Sequence, residues 1–365
     1  MTVFRKILAA FLIVCISLGG VFCIGTYAYG KYTGYLERPD EAFGIEPTIT
    51  VVDNDTGEEK VTGAPKEYLE YDGTMYYRNP NIVNILFLGV DSNDEREAAS
   101  KGYRSDSIML CALDVSNKTV QLLSVPRDTK ANVYHLDGEG NVEFESTNRI
   151  NAAYSFGRDG DVHAAQNTMR CVSELLENDG TFNIPIDYYV TVDMDGLEEV
   201  IDALDGVEVT LDDYFPGIGS EGDVVTLKGE KALLYARDRK NTGGDLARAH
   251  RQQILLIAIA SEIKDMGAIE TVQKLYGPIM DNIKTNLDVK QIMGLAGILD
   301  NMDINNIDMN MLEGKTGKED GRSYFFHDEE LTDQLMLDLF YIKDTAQSET
   351  TVAQADVTEE IQEML

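Results

Sequence analysis

The stretch Leu122-Leu123-Ser124-Val125-Pro126-Arg127-Asp128-Thr129 constrains the chain more than any other. A buried-strand pattern runs into Pro, and Arg and Asp follow side by side. The same grammar ends Ile85-Leu86-Phe87-Leu88-Gly89-Val90 on Asp91, and Arg104-Ser105-Asp106 opens the next apolar run. Three strand ends therefore carry Arg or Asp close together in the sequence. In open α/β sheets, ligands bind at strand ends. Guanidinium and carboxylate groups together suit an anionic ligand and a hard metal ion.

Strands are expected at Ile82–Val90, Asp106–Asp114, Thr119–Val125, Asp187–Val192 and Val207–Leu211. Closing strands follow at Ile307–Leu312 and Arg322–His327. Helices are expected at His163–Glu177, Met194–Leu204, Lys228–Tyr235, Leu246–Lys264, Thr271–Ile283, Val289–Leu299 and Glu329–Leu339. Mixed strands and helices around one sheet predict a single three-layer α-β-α domain with a mixed central sheet. Its expected span is 82–344. Residues 31–81 read as a juxtamembrane spacer with one short strand pair, at Thr48–Val52 and Glu58–Val61. Residues 345–365 read as a disordered acidic tail.

Ile7 to Gly30 holds no charged residue. As a helix it would span roughly 35 Å, enough to cross a bilayer. Arg5 and Lys6 precede it, so residues 1–6 are expected in the cytoplasm, 7–30 as a signal-anchor and the rest outside the cell membrane. The rival reading, a cleaved signal peptide, needs Thr26-Tyr27-Ala28 as a cleavage site. The apolar run is longer than the usual signal core of about 7–15 residues.

The formal charge is −33, from 64 acidic and 31 basic residues. That balance repels nucleic acid and excludes DNA binding as a first hypothesis. Cys111 and Cys171 are expected as isolated buried thiols, and no zinc spacing occurs among the cysteines and histidines. Gly217-Ile218-Gly219-Ser220-Glu221-Gly222 matches a dinucleotide fingerprint only formally. It follows Pro216 and leads into Val224-Val225-Thr226, so it reads as a turn.

Against the acidic background two constellations stand out. Asp91 and Asp106, at adjacent strand ends, make a fair pair of oxygen ligands for Mg²⁺. Arg104 and Arg127 share their edge, and Arg binds phosphate through a planar fork. The bland alternative is two local salt bridges, Arg104–Asp106 and Arg127–Asp128. The second constellation runs from Tyr235-Ala236-Arg237-Asp238-Arg239 to Asp245-Leu246-Ala247-Arg248-Ala249-His250-Arg251-Gln252. Asp245 is placed to cap a long helix, and Arg248, Arg251 and Gln252 fall in its first turns. Cations there oppose the helix dipole unless an anion offsets them. The alternative is a solvated basic face.

These residues resemble the LytR–CpsA–Psr family of membrane-anchored cell-envelope proteins. The resemblance is carried by Asn84–Asp91, Arg104-Ser105-Asp106, Ser124–Thr129, Ile150-Asn151-Ala152-Ala153-Tyr154, Pro185–Tyr189, Asp205-Gly206-Val207 and the Arg-rich run from Ala236 to Gln252. It implies a phosphotransferase that moves a glycopolymer from a polyprenyl-pyrophosphate carrier to peptidoglycan. It further implies Mg²⁺ or Mn²⁺ on Asp91 and Asp106, and catalytic roles for Asp106, Arg127 and Asp128. A pyrophosphate clamp of Arg104, Arg127, Arg237 and Arg239, completed by Asp245, Arg248 and Gln252, follows from the same likeness, and the helix face adds Arg251 beside Arg248. Ser107, Ala236, Leu246-Ala247 and Ala152 depart from the family's usual Thr, Ser, Phe-Gly and His, and none of these changes removes a charge. Two other functions stay open: a pyrophosphatase acting on polyprenyl pyrophosphates, and a non-enzymatic binder of lipid-linked wall polymer.

Overall fold

The structure, a computed structural model, describes residues 34–45, 49–52, 59–62, 67–90, 103–157, 161–238, 244–266, 274–275, 283–302 and 307–344. The expected anchor 7–30, residues 91–102 and residues 345–365 lie outside the described residues. Among those described, no helix is long and apolar enough to cross a membrane.

The centre is a six-stranded mixed sheet. Its members are β5 (Ile82–Val90), β6 (Ser105–Asp114), β7 (Thr119–Ser124), β10 (Tyr188–Asp193), β13 (Ile283–Thr285) and β14 (Asp308–Met311), in the order β13-β10-β5-β6-β7-β14. β10 runs parallel to β5 and β14 parallel to β7, and the other pairings are antiparallel.

Successive side chains of a strand point to opposite faces, and here both faces are covered. Leu86, Leu88, Ile108, Leu110, Leu123 and Val125 pack with α2 (Ala152–Phe156), α3 (Asp161–Glu177) and α8 (Glu329–Phe340). Val83, Ile85, Met109, Cys111, Leu113 and Leu122 face α1 (Pro39–Phe43), α6 (Gly244–Met266) and α7 (Val289–Asn301). This is the expected three-layer arrangement. Leu86 and Leu110 are fully buried, and each such side chain contributes about 1.5–3 kcal/mol. Cys111 and Cys171 sit buried on opposite faces as free thiols, and burial pushes both up to about 12.

A smaller core joins β11 (Val207–Thr210), β12 (Val224–Leu227), α4 (Met194–Ala203) and α5 (Gly229–Arg237) to α6. α6 therefore has apolar contacts on two sides. Leu256 and Ile257 meet the sheet, whereas Leu255 and Ala258 meet the small core. That explains an apolar helix with no polar stripe.

Several elements differ from expectation. Residues 31–81, expected as a spacer, supply α1 and the antiparallel pair β3 (Tyr68–Tyr71) and β4 (Thr74–Arg78). β4 pairs with β17 (Tyr341–Lys343) near the other end of the domain, and Leu69, Tyr71 and Tyr76 pack on the large core. Aromatic residues in a polar stretch conceal this strand pair. The expected pair near 48–61 forms as β1 (Ile49–Val52) and β2 (Glu59–Thr62). Of the helix expected over Thr271–Ile283, residues 274–275 are helical and 271–273 and 276–282 lie outside the described residues; only its last residue, Ile283, falls instead in the edge strand β13. The hairpin of β8 (Lys130–Leu136) and β9 (Val142–Arg149) is not among the expected elements, although Asp137-Gly138 between two alternating runs is a hairpin signal. The Gly217–Gly222 segment is a turn, with Gly217 and Gly222 at positive φ.

The α1 segment docks on two glycines of α7. A Cβ at Gly294 would lie 2.7 Å from Ala42 Cβ, and one at Gly297 would collide with the Leu36 carbonyl. Gly297→Ala should therefore detach this segment at a loss of about 1–3 kcal/mol. Hydrogen exchange at the Gly44 and Ile45 amides, bonded to Glu41 and Asp40, would report it. Unchanged protection would refute the docking argument.

A pH effect follows from His327, at the end of β16 (Arg322–His327), which pairs with β15 (Gly314–Glu319). Burial lowers its pKa from 6.5, against the opposing pull of Glu329, Asp328 and Asp333. A depressed imidazole contributes stability above the unfolded value and loses it as pH falls through the folded value. Unfolding free energy should thus decline below about pH 6.5, and His327→Asn should flatten that decline. Parallel pH profiles for the two proteins would disprove the effect.

Candidate functional site

The strand registers gather the charged strand ends at one edge of the sheet. Val90 pairs with Ser105, so β5 ends where β6 begins. Met109 pairs with Ser124, which returns β7 to that edge. Asp193 of β10 pairs with Val90, and Met311 of β14 with Ser124. Asp91 lies one residue past β5, outside the described residues, and Arg104 one residue before β6. The first turns of α6 cover this edge from the neighbouring layer.

Arg127 occupies the centre. The turn that carries it is pinned by backbone bonds from Thr129 to Pro126, from Ile150 to Thr129 and from Asn151 to Arg127. The Thr129 hydroxyl adds a 2.6 Å bond to the Pro126 carbonyl. Arg127 Nη1 donates to Asp106 Oδ1 at 2.8 Å, and Nε donates to Asp245 Oδ2 at 3.1 Å. Asp128, its sequence neighbour, stands 4.0 Å from Nε. The local pair Arg127–Asp128 is therefore secondary to two partners brought from elsewhere. Burial disfavours the charged guanidinium, but Asp106, Asp245 and Asp128 outweigh it and raise the Arg127 pKa, so the cation persists.

Arg248 completes the group. It is buried, donates Nη2 to the Asp106 carbonyl at 3.1 Å, and places Nη1 3.4 Å from Asp245 Oδ1. Asp245 was read as a helix cap; it lies inside α6, and its two oxygens join Arg127 and Arg248. Arg149, which the sequence reading left without a role, sits at the end of β9. Its Nη1 lies 3.5 Å from Asp128 Oδ1, and its Nε bonds the Ser323 carbonyl. Its place in Arg149-Ile150-Asn151, directly before a helix, was the signal available.

Two recesses meet at this edge. A small polar one, about 10 Å³ and room for roughly one water, is lined by Asp106, Ser107, Arg127, Asp245, Arg248 and Gln252. An apolar one, about 90 Å³, is lined by Phe87, Met109, Val192, Leu197, Leu255 and Ile259. Ser107 and Gln252 line both, so the two recesses adjoin. A charged head group with an apolar tail fits such a pair.

The remaining candidates divide. Gln252 faces the site and bonds the Ala236 carbonyl at 3.4 Å. Arg104 is exposed and, among the described residues, makes no ion pair with Asp106. Arg237 is exposed at the end of α5. Arg239 lies outside the described residues. Arg251 does not join the group. It is fully buried in the small core, donating to the Tyr235 and Asp238 carbonyls at 3.2 and 2.5 Å and pairing with Asp212 at 3.4 Å. Its guanidinium lies over the rings of Phe215 and Tyr235. The spacing that put it beside Arg248 could not reveal that α6 is covered on two sides.

Comparison with known proteins fits this geometry. The LytR_cpsA_psr family matches residues 48–339. A polyisoprenyl-teichoic acid–peptidoglycan teichoic acid transferase of Bacillus subtilis, TagV, is 33% identical over 241 residues, 63% of this chain and 56% of that protein. A TagU of the same description from Enterococcus faecalis is 28% identical over 69% of this chain and 77% of its own length. The chain thus spans little more than half the length of TagV. The crystal structure of B. subtilis TagV superposes with a TM-score of 0.55 at 30% identity, covering 71% of this chain and 96% of that one. TagT bound to LI-WTA gives 0.52 at 26% identity, over 71% and 91%.

The division between Arg248 and Arg251 is testable. Arg251→Met leaves Asp212 and two buried carbonyls without their donor. It should lower unfolding free energy by about 3–5 kcal/mol in urea titration. A wild-type midpoint would show that this guanidinium is not a structural pin.

Proposed function

The chain belongs to the LytR–CpsA–Psr family, and from that membership and the Arg127 site we propose that it transfers a glycopolymer from a polyprenyl-pyrophosphate carrier to peptidoglycan. The two TagV and TagU relatives carry names for that reaction with teichoic acid. The observation that carries the reading is the junction of the two recesses. A fixed cationic group, Arg127 with Arg248, adjoins an apolar recess across Ser107 and Gln252. A lipid-linked pyrophosphate has the same two halves.

In this reading the apolar recess receives the carrier's first isoprene units. Arg127 and Arg248 meet the negative charge of the pyrophosphate, with exposed Arg104 and Arg237 as outer arms. The acceptor sugar hydroxyl attacks the phosphorus bonded to the glycan. A new P–O bond forms, the bridging P–O bond breaks, and polyprenyl phosphate leaves. The hydroxyl proton passes to a carboxylate. Asp106 is committed to Arg127, and Asp128, with 30% of its side chain exposed, is the more open of the two candidates. Phosphoryl transfer asks mainly for positioning and charge stabilisation, which pinned guanidinium groups supply.

In the same reading Asp91 and Asp106 would be the ligands of a hard divalent ion. Asp106 offers carboxylate oxygens at the edge where Asp91 follows β5. Mg²⁺ or Mn²⁺ held there would offset charge on the leaving oxygens. The uncharged run Ile7–Gly30 would anchor the chain, with its N-terminus in the cytoplasm and the domain outside, within reach of a lipid-borne substrate.

Vesicles carrying lipid-linked polymer, with and without peptidoglycan, test the proposal. Polymer should become linked to the wall only when acceptor is present, and metal chelation should stop it. Arg127→Ala should lower transfer at least about 10²-fold with unfolding unchanged by more than a few kcal/mol, and Arg127→Lys should restore little because it lacks the fork. Free polymer released equally without acceptor would instead establish a pyrophosphatase. Binding without turnover, indifferent to metal, would establish a binder.

A further inference from the structure

The β8–β9 hairpin begins at Lys130 and ends at Arg149, so its base stands beside Asp128 and Arg127. Its outer strand, β9, pairs with β8 alone among the described strands. Val142 to Glu145 are all exposed. Phe144 keeps 53% of its surface in solvent and Val142 keeps 43%.

The exposed ring is nevertheless fixed. Phe144 stacks on His135 at 4.1 Å and 17°, and His135 stacks on Phe156 of α2 at 3.8 Å and 24°. His135 Nε2 lies 2.9 Å from Ser146 Oγ. At the hairpin tip, His163 of α3 packs so closely on Gly140 that a Cβ there would approach the imidazole to 2.9 Å. A ring held from behind presents an ordered flat face, and a ligand that covers it sacrifices little side-chain freedom.

The surroundings say which ligand. β9 carries Glu143 and Glu145 and no base until Arg149. On a chain of charge −33 that strand repels a phosphate-rich polymer. It tolerates an uncharged one. Its polar residues are Ser146, Thr147 and Asn148, and its outer edge offers backbone N–H and C=O groups. An aromatic face, hydroxyls and edge amides match the C–H faces, hydroxyls and acetamido groups of an N-acetylated glycan. Arg149 to Phe144 is five residues of strand, about 17 Å, several sugar rings long.

We propose that β9 docks the acceptor glycan strand, with Phe144 as its stacking residue, and leads that strand to the carboxylates beside Arg127. The inference rests on the transferase reading of the site. Its test uses the full-length chain in detergent micelles and purified insoluble peptidoglycan stripped of attached polymer. Co-sedimentation should weaken about tenfold in Phe144→Ala, weaken less in Val142→Ser and persist in Phe144→Tyr, with thermal unfolding unchanged in all three. Equal binding by the wild type and Phe144→Ala would overturn the assignment. Weakened binding of the lipid-linked polymer in place of the wall would also overturn it, as would a dimer that Phe144→Ala abolishes. A turnover assay separates the two readings. Wild-type chain that binds the wall through Phe144 but never links polymer to it refutes the transferase and leaves the docking strand standing. Undiminished transfer by Phe144→Ala at limiting acceptor refutes the docking strand alone.

Discussion

A single guanidinium ties the fold together at the site. Arg127 is 16% exposed, too buried to rely on water, so its charge must be met by the protein. The two closest carboxylates come from β6 and from α6, the latter 118 residues away in sequence. Neither contact is local. The first depends on the β6–β7 register, in which a slip of one residue would turn Asp106 to the opposite face. The second depends on α6 crossing the sheet edge at its first turn. Sheet register and helix placement are therefore coupled through one side chain, and the recess around it inherits its shape from both.

Much of this arrangement was legible beforehand. The strands at 82–90, 105–114 and 119–124 announce themselves because both their faces are buried and the apolar run is unbroken. That Arg and Asp stand at their ends follows directly from the sequence. The partner of Arg127 does not. Adjacency favours Asp128, but both residues sit in a turn that follows β7, and the carboxylate that bonds Arg127 belongs to the neighbouring strand β6. Arg251 failed for a related reason. Helical spacing sets it about 60° from Arg248 around α6, which distinguishes nothing until both sides of that helix are known to be covered. The strand pair at 68–78 was hidden because its pairing partner lies near residue 341, beyond the reach of any local pattern.

The charge balance of the site is informative. Arg127, Arg149 and Arg248 face Asp106, Asp128 and Asp245, three cations against three anions. In a chain of charge −33, neutrality at one edge is itself a local excess of positive charge, but it is no broad basic patch. The cations are held in fixed geometry by the anions beside them. Such a site distinguishes ligands by where their oxygens fall rather than by bulk attraction.

That distinction bears on how a polyanionic substrate could arrive. A protein surface this acidic slows the approach of a phosphate-rich polymer from solution, because the long-range field opposes it before any guanidinium is felt. Confinement removes the difficulty. If enzyme and lipid-linked donor share one membrane, encounter becomes a two-dimensional search at high effective concentration, and no electrostatic steering is required. The head group then enters beside its own lipid, and the polymer beyond it can trail away from the acidic surface. Under the proposed anchoring, a strongly acidic chain can act on a donor that a freely diffusing one of the same charge would reach slowly, and the uncharged run at residues 7–30 and the net charge would then be two parts of one constraint.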